Sequence, residues 1–267
     1  VFDDGKVDAV LICTPHDSHT DLAVAAAAAG KHILLEKPMA LTEAECRRII
    51  AAADEAGVTL TLNYKFRFAP AVQAVKRQLG RPLLTVGQLA MDPAQNWSWA
   101  YDPVQGGGLL LGTACHVFDM VYWLNESEPV RVYAESAPPE PEHGCNVQAA
   151  VVTVRFANGA IASLSLSEAG ETAYLGKWMF EVYDGTNSAL FYDHFAQARI
   201  TGSEPDHVRW TGEPHAIGVA GVLADFVEAV RTGGAPAITG TDGLLATLLA
   251  TRILDSLKSG SPENVRL

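Results

Sequence analysis

The chain has 267 residues, of which 48% are hydrophobic and 19% are charged, and its formal net charge is −12. This composition supplies enough apolar material for one large domain or two modest ones. The acidic balance argues against nucleic acid or an anionic membrane as the main partner, and no apolar run approaches the ~18 residues of a membrane-spanning helix. The four cysteines are scattered without a C-x-x-C pair, so we expect no bound metal and a cytoplasmic location.

The first 64 residues alternate predicted strands with predicted helices. Nearly all-apolar strands are predicted at residues 7–14, 31–35 and 58–64, and helices at residues 20–29 and 42–56. The second helix begins at Thr42, which can form a capping box with Glu45, and a glycine follows each helix. Apolar strands separated by helices are typical of a parallel sheet that is covered on both faces.

The chain begins directly before a strand, and no Gly-rich turn comes ahead of the first predicted helix. In a mononucleotide-binding α/β unit, a strand, a Gly-rich turn and a helix come first. We therefore expect that roughly a third of an α/β domain precedes Val1.

The predicted elements change character after Pro70. A helix at residues 70–80 and a strand at residues 82–91 lead into an aromatic loop at residues 96–108, which ends in three glycines. A long apolar helix is predicted at residues 108–124 and alternating strands at residues 130–192. Two further helices follow at residues 218–232 and 241–259. Asn158-Gly159 is a strong hairpin signal, and residues 179–193 suggest a second hairpin. We predict two domains, an incomplete parallel α/β domain at residues 1–66 and an α+β domain with an antiparallel sheet at residues 67–267.

Two strand segments of the second domain, residues 151–156 and 161–167, carry apolar side chains at both alternating sets of positions. A sheet with two apolar faces needs a second cover in addition to its own helices. We therefore predict that another copy of the chain supplies this cover in a homodimer or homotetramer.

Three residues end the strand at 31–35 in a way that needs an explanation. Glu36, Lys37 and Pro38 follow directly after an apolar run. In one interpretation the strand reaches the surface there and the charges are solvated. In the other, the lysine is held over a pocket, because open α/β sheets bind ligands at the carboxyl ends of their strands.

Two more sets of residues have both a structural and a functional interpretation. Thr14, Pro15 and His19 follow the carboxyl end of the first strand, where ligands bind, but His19 fits the N-terminal region of a helix equally well. The aromatic loop contains Trp97, Trp99 and Tyr101, which could stack on a sugar ring or simply pack the loop.

His116 lies within the helix predicted over residues 108–124, on the same face as Gly112 and Asp119. Taken alone, it is best explained as a core histidine. A pKa near the ordinary ~6.5 would also suit it to take up a proton near neutral pH. We interpret the glycine run 106–108 as a helix entry that requires close backbone approach, and not as a phosphate loop.

Four motifs occur together and in order: TPHDSH, EKP, RFAP and GGGLLLGTACHVFD, at residues 14–19, 36–38, 67–70 and 106–119. In combination they resemble the Gfo/Idh/MocA family, the group of glucose–fructose oxidoreductase and inositol dehydrogenase. The resemblance implies an N-terminal Rossmann domain, whose opening segment selects NAD or NADP, and a C-terminal domain with an open, mostly antiparallel sheet. It also implies hydride transfer between that cofactor and a hydroxyl carbon of a sugar, inositol or related polyol.

The resemblance also implies roles for individual residues. Lys37 would reach the reacting hydroxyl, where a cation stabilises developing alkoxide, and His116 would accept the proton or orient the substrate. Pro38 would fix the turn that aims the lysine, and a cis peptide bond before it would suit that role. Cofactor contacts are expected from Thr14, Pro15, His19, Glu36, Lys37 and Pro38, and substrate contacts from Lys37, Arg67, Trp99, His116 and Asp119.

One position departs from the family pattern. The family has an aspartate one helical turn before the histidine, where this chain has Gly112. That change removes a carboxylate that would hold Lys37 and His116 in position and adjust their pKa values. Two functions therefore stay open: an NAD(P)-dependent oxidoreductase acting on a sugar, inositol or polyol, and a dinucleotide- and sugar-binding sensor or scaffold without turnover.

Overall fold

The computed structural model of the protein describes residues 1–92, 98–102, 104–137, 147–172, 177–202, 206–212 and 217–267. Trp97, one of the two tryptophans considered for sugar stacking, lies outside these ranges. Within them, the strands form two sheets, and one connected apolar core runs through both.

The first sheet contains three parallel strands in the described part of the chain. They are β1 (Ala9–Ile12), β2 (His32–Leu35) and β3 (Leu60–Leu62), in that spatial order, and the connecting helices are α1 (His19–Ala28) and α2 (Glu43–Ala56). Nearly every side chain of β2 and β3 is buried, as expected for strands covered on both faces. The capping box of Thr42 and Glu45 forms at the start of α2. The predicted parallel α/β arrangement is confirmed.

The second sheet is larger and mostly antiparallel. Its strands are β4 (Leu84–Ala90), β5 (Pro129–Ser136), β6 (Ala149–Phe156), β7 (Ile161–Ser167), β8 (Trp178–Tyr183), β9 (Ser188–Tyr192), β10 (Gln197–Thr201), β11 (Asp206–Arg209) and β12 (Glu263–Asn264). Among the described residues they form one nine-stranded sheet in the order β11-β10-β9-β8-β4-β7-β6-β5-β12, and only β4 and β7 are parallel neighbours. The turn at Asn158-Gly159 joins β6 to β7 and a second hairpin joins β8 to β9, as predicted.

Five helices lie after residue 66 in the described part of the chain, and three of them pack against the second sheet. They are α3 (Pro70–Gln78), α4 (Ser98–Tyr101), α5 (Cys115–Asn125), α6 (Val219–Thr232) and α7 (Gly240–Ser259). Of these, α3 contacts β9 to β11, α5 contacts β4, and α7 contacts β5. Within the described ranges, no helix has both the length and the apolar character that a membrane crossing needs.

The prediction of one continuous helix over residues 108–124 is wrong in its first part. Leu109–Thr113 forms a π-helical turn, in which the Ala114 N–H bonds to the Leu109 carbonyl at 2.8 Å, and α5 begins only at Cys115. Single π-helical turns of this kind are frequent at functional sites. Here the turn lines the cavity described below.

The glycine run before this turn has the close backbone approach that we predicted. A Cβ on Gly106 would overlap the backbone of Ala100 and Trp99. Gly107 and Gly108 adopt φ values of 75° and 67°, which strain other residues. The run is therefore a helix entry that only glycine fits.

The outer face of the second sheet, away from the helices, is mixed rather than uniformly apolar. Val86, Val151 and Ile161 are exposed there, by 37%, 56% and 44%. Along β7, however, the other outward positions include Ser163 and Ser165, because its leucines point into the core. The expectation of apolar side chains at both alternating sets of positions is therefore wrong for β7.

Helix α7 connects the two sheets. A Cβ on Gly243 would lie only 2.8 Å from Met39 Sδ, so glycine lets the helix approach the segment that follows β2. Thr247 Oγ1 donates a hydrogen bond to the Ala40 carbonyl of that segment at 3.3 Å. These contacts hold the carboxyl end of β2 in a fixed position relative to the second sheet.

Candidate active site

A cavity of about 570 Å³ lies where the carboxyl ends of β2 and β3 face the second sheet. Residues that follow β1, β2 and β3 form one wall, the π-helical turn and the start of α5 form another, and the ends of β4, β7 and β8 form the third. Open α/β sheets bind ligands at the carboxyl ends of their strands, and the volume suits a small molecule. This cavity is therefore the candidate active site.

Lys37 lines the cavity from the end of β2. Its Nζ donates a hydrogen bond to the Gly112 carbonyl at 3.0 Å, and the peptide bond between Lys37 and Pro38 is cis. The lysine is thus held over a pocket and is not simply solvated at a strand end.

Glu36 lines the same wall, and its carboxylate is fixed by two hydrogen bonds. Asn63 Nδ2 donates to Oε1 at 2.6 Å, and the Lys37 N–H donates to Oε2 at 3.2 Å. Asn63 follows β3, so its side chain ties together the ends of two neighbouring strands. Asn63 was not among the predicted site residues, although its position directly after a buried strand was an available signal.

His116 lies near the start of α5, and its side chain reaches the cavity although the residue is only 8% exposed. Among the described residues, the rings of Tyr64, Phe66 and Trp178 pack against it at centroid distances of 5.9, 5.0 and 5.8 Å. The histidine is therefore held by aromatic packing on several sides, and its side chain faces the cavity.

The pKa of His116 is not near its ordinary value, and that expectation is corrected. Burial lowers the pKa well below the usual range, and the nearby charges of Lys37, Lys65 and Lys177 lower it further. The imidazole is consequently neutral in the folded protein, and burial together with the charges of the three lysines makes it a weak proton acceptor.

His16 also lines the cavity, and the sequence analysis missed it although it lies inside the TPHDSH motif. Its Nδ1 is 2.8 Å from the Gly106 carbonyl, so Nδ1 carries the proton and Nε2 is an acceptor in the neutral ring. Burial lowers the pKa of His16 to about 4, which keeps the ring neutral. Trp99, expected to contact substrate, lines the cavity with its ring edge-on to His16 at 4.9 Å between centroids.

Thr14, Pro15 and His19, expected to bind cofactor, do not line the cavity. His19 is fully buried, and its ring nitrogens lie 2.8 Å from the Pro38 carbonyl and 3.0 Å from the Thr14 carbonyl. This placement corrects the expectation for His19: it ties together the segments that follow β1 and β2 and is a positioning residue. Thr14 and Pro15 are exposed in the loop beside it.

Arg67 and Asp119, expected to contact substrate, are also away from the cavity. They are 4% and 2% exposed, and the Arg67 guanidinium donates to both oxygens of Asp119 and, at 2.8 Å, to Asp242 Oδ1. This placement corrects the expectation of direct substrate contact, because their polar atoms are satisfied within a buried ion triad. The triad joins the segment after β3 to α5 and α7.

The wall formed by the second sheet contains two charged residues that the sequence analysis missed, Glu168 and Lys177. The Met91 N–H bonds to the Ser167 carbonyl, and the Ala90 N–H bonds to the Lys177 carbonyl, each at 2.9 Å. This register brings the end of β7 and the start of β8 to the same edge, on either side of β4. No local sequence pattern signals such a pairing.

Glu168 is a polar group at the cavity wall that lacks part of its hydrogen bonding. It is only 3% exposed, and its carboxyl is hydrogen-bonded to Tyr101. Among the described residues, its Oε1 has no hydrogen-bond partner. Burial raises the pKa of Glu168 to about 7, so the carboxyl is partly protonated near neutral pH. A buried carboxyl oxygen of this kind is suited to bind a hydroxyl of a ligand.

Gly112 stands where the family has an aspartate, and there is room for a side chain beside its Cα. A Cβ at this position would lie 3.4 Å from His16 Cε1 and 3.6 Å from the Gly106 carbonyl oxygen, which are tolerable contacts. Lys37 is therefore held by the backbone carbonyl of Gly112 instead of a carboxylate one turn before His116.

Fold and site together define a class of protein: a nicotinamide-dependent oxidoreductase with a Rossmann-type sheet and a separate, mostly antiparallel sheet that completes a small-molecule site. Residues 1–64 match the oxidoreductase family with an NAD-binding Rossmann fold, and residues 72–190 match the GFO/IDH/MocA C-terminal domain. The chain belongs to the GFO/IDH/MocA oxidoreductase family, as its motifs predicted.

Individual relatives agree with this assignment. The chain is 30% identical to the uncharacterized oxidoreductase YrbE of Bacillus subtilis over 98% of its own length and 79% of that protein. It is 28% identical to myo-inositol 2-dehydrogenase of Thermotoga maritima, over 97% of the chain and 80% of that protein. Among solved structures, levoglucosan dehydrogenase in complex with NADH and levoglucosan is similar at a TM-score of 0.89 and 25% identity, over 100% of the chain and 82% of that structure.

Proposed function

We propose that the protein is an NAD- or NADP-dependent dehydrogenase that oxidises a hydroxyl carbon of a sugar, inositol or related polyol, or reduces the corresponding carbonyl. The observation that carries this proposal is the placement of Lys37, whose Nζ is anchored over the cavity at 3.0 Å from the Gly112 carbonyl, in the same cavity as the neutral His116. The named activities of relatives on inositol and levoglucosan support the substrate class.

The residues at the carboxyl ends of the strands fit a nicotinamide cofactor. Glu36 offers a carboxylate held in place by Asn63, and His16 offers a neutral ring with one acceptor nitrogen. Such groups suit the hydroxyls and the amide of a nicotinamide riboside. Thr14 and Pro15, in the exposed loop beside this edge, and Pro38 would support the same end of the cofactor. When bound, the cofactor supplies the hydride acceptor or donor.

In this proposal the chain moves one proton and stabilises one developing charge. The Lys37 ammonium donates a hydrogen bond to the reacting oxygen and stabilises it as it becomes alkoxide-like. The neutral imidazole of His116 takes up the hydroxyl proton as the hydride leaves the same carbon. In the reducing direction both steps reverse. Glu168 Oε1 and the Trp99 ring bind the remaining hydroxyls and one face of the substrate.

Two further parts of the proposal concern the domain boundary and the location of the protein in the cell. We place the boundary between a Rossmann domain and a substrate domain after residue 66, where the 3₁₀ turn Lys65–Phe68 leads out of the first sheet. A cytoplasmic location is consistent with the three cysteines of the described residues, which are all free thiols.

The direct test is turnover by the intact protein with a panel of inositols, aldoses and anhydrosugars, followed by nicotinamide absorbance with NAD and with NADP. We expect substrate-dependent reduction of at least one cofactor. Binding of a polyol without turnover would instead support the second candidate, a dinucleotide- and sugar-binding sensor, which Gly112 favours because the family carboxylate is missing. Absence of both binding and turnover would contradict the proposed function.

We also propose that the protein forms a homodimer or homotetramer through the outer face of the second sheet. Val86, Val151 and Met179 line a shallow groove of about 120 Å³ on this face. Light scattering on the intact protein at micromolar concentration should report at least twice the protomer mass. Val151→Lys, which places a charge in the groove, should shift the mass toward the monomer, whereas Val227→Lys on α6 should not. A monomeric parent protein would refute the proposal.

A further inference from the structure

The cavity contains more positive charge than hydride transfer to a neutral polyol requires. Three lysines line it, Lys37, Lys65 and Lys177, against the carboxyl groups of Glu36 and Glu168. Glu168 is partly protonated near neutral pH, since its pKa is raised to about 7 by burial. Among the described residues that line the cavity, lysines thus outnumber carboxylates, in a protein whose formal net charge is −12. Confined charge of one sign raises the local concentration of ligands of the opposite sign.

Two of these lysines pack over aromatic rings that also contact His116. Lys65 Nζ lies 5.6 Å from the centroid of the Phe66 ring, and Lys177 Nζ lies 5.5 Å from the centroid of the Trp178 ring. The two rings are themselves in contact, at 5.4 Å between centroids. The two ammonium groups therefore lie over neighbouring rings that are in contact with each other.

The described residues do not neutralise Lys177. None of the ion pairs in the described part of the chain involves it. The carboxylate of Asp92, which exerts a weak attraction on it, accepts hydrogen bonds from the Thr172 N–H and hydroxyl at 2.6 and 2.8 Å. Burial lowers the pKa of Lys177, and the charges of Lys37 and Lys65 lower it further. The Lys177 ammonium is thus disfavoured by its surroundings, and a bound anion would offset that effect.

We propose that Lys65 and Lys177 form an oxyanion subsite and that the natural substrate is an acidic polyol, carrying a carboxylate or phosphate group beside the hydroxyl that reacts at Lys37 and His116. The proposal rests on the proposed function and narrows its substrate class. It also accounts for the weakly basic histidine: an anion between the lysines offsets the charges that disfavour imidazolium, so binding the correct substrate makes His116 a better proton acceptor.

The test compares matched neutral and anionic sugars with the intact protein: D-glucose with D-glucuronate and D-glucose 6-phosphate, and D-galactose with D-galacturonate. Calorimetry in the presence of NADH measures binding, and nicotinamide absorbance measures turnover. We expect at least one anionic sugar to bind about tenfold more tightly than its neutral partner, the scale of one hydrogen bond to a charged group. Preference for the uronates identifies the anion as carboxylate, and preference for the phosphate identifies it as phosphate.

Variants assign the preference to the lysines. Lys177→Gln should lower the ratio of anionic to neutral affinity about tenfold, Lys65→Gln should do the same, and Lys177→Arg should retain part of the preference. Lys258→Gln, which removes an exposed positive charge on α7, should change the ratio less than about twofold.

Two results would overturn the proposal: equal binding of every anionic sugar and its neutral partner, or loss of NADH affinity in Lys177→Gln without any change in sugar preference, which would assign the lysine to the cofactor. Absence of catalysis with every sugar would count against the proposed function. It would not affect the test of the anion subsite, because calorimetry compares the binding of anionic and neutral sugars without turnover.

Discussion

Replacing Lys37 by alanine is expected to lower kcat by about 10²-fold or more, the usual scale for a positioned acid–base or oxyanion-stabilising group. The physical reason is that the ammonium group, fixed by the Gly112 carbonyl at 3.0 Å, stabilises charge that develops on the reacting oxygen only in the transition state. The measurement is steady-state turnover with the best sugar or polyol of the panel, in the direction that gives the larger signal.

Two controls separate this effect from a general loss of structure or of cofactor. The affinity of Lys37→Ala for NADH should stay close to that of the parent protein, because the ammonium group that is removed contacts the reacting oxygen of the substrate and not the cofactor. Lys6→Ala, which removes an exposed lysine near the start of the chain, should leave kcat unchanged. If Lys37→Ala turns over the substrate at a rate within a few-fold of the parent, the lysine does not take part in the chemistry.

Sequence reasoning was successful wherever the controlling interactions are local. Thr42 and Glu45 are three residues apart, and Asn158-Gly159 is itself the turn, so each signal is complete within a few residues. The π-helical turn at Leu109–Thr113 was missed because its apolar sequence is equally compatible with an α-helix. The parallel pairing of β4 with β7 could not be predicted from the sequence, because more than seventy residues separate paired positions such as Leu84 and Ile161.

The same distinction explains which site residues could be anticipated. Lys37 stood out because a charged residue directly after a buried strand conflicts with its surroundings. Glu168 and Lys177 did not, since only the register with β4 turns two ordinary charged residues into one cavity wall. The family resemblance implied substrate contacts for Arg67 and Asp119, and the sequence alone could not show that their charges meet each other instead.

The buried ion triad of Arg67, Asp119 and Asp242 leads to the second large expected effect, on stability. Asp119→Ala should lower the free energy of unfolding by about 3 kcal/mol or more, because it leaves the Arg67 guanidinium, only 4% exposed, with Asp242 as its one remaining acid partner in the triad. Burial acts to lower the pKa of Arg67, yet the two carboxylates raise it above its ordinary value, so the arginine cannot escape by losing its proton.

Urea unfolding followed by tryptophan fluorescence measures this loss, and the thermal midpoint should fall by about 2–4 °C for each kcal/mol. The matched control is Glu228→Ala, which removes a carboxylate from Arg231 on the exposed face of α6, where the pair is 73% and 62% exposed; the expected change is at most about 1 kcal/mol.

A double variant identifies the cause of the effect. Arg67→Met with Asp119→Leu should recover most of the stability lost in Asp119→Ala, since it removes the uncompensated charge and fills the space with apolar side chains. Asp242 keeps a partner in that variant, because its Oδ2 accepts the Thr239 N–H at 2.7 Å at the start of α7. If the double variant is no more stable than Asp119→Ala, the loss comes from packing around Asp119 and not from a stranded charge. An Asp119→Ala protein as stable as its parent would show that the triad contributes nothing to holding α5 and α7 against the segment after β3.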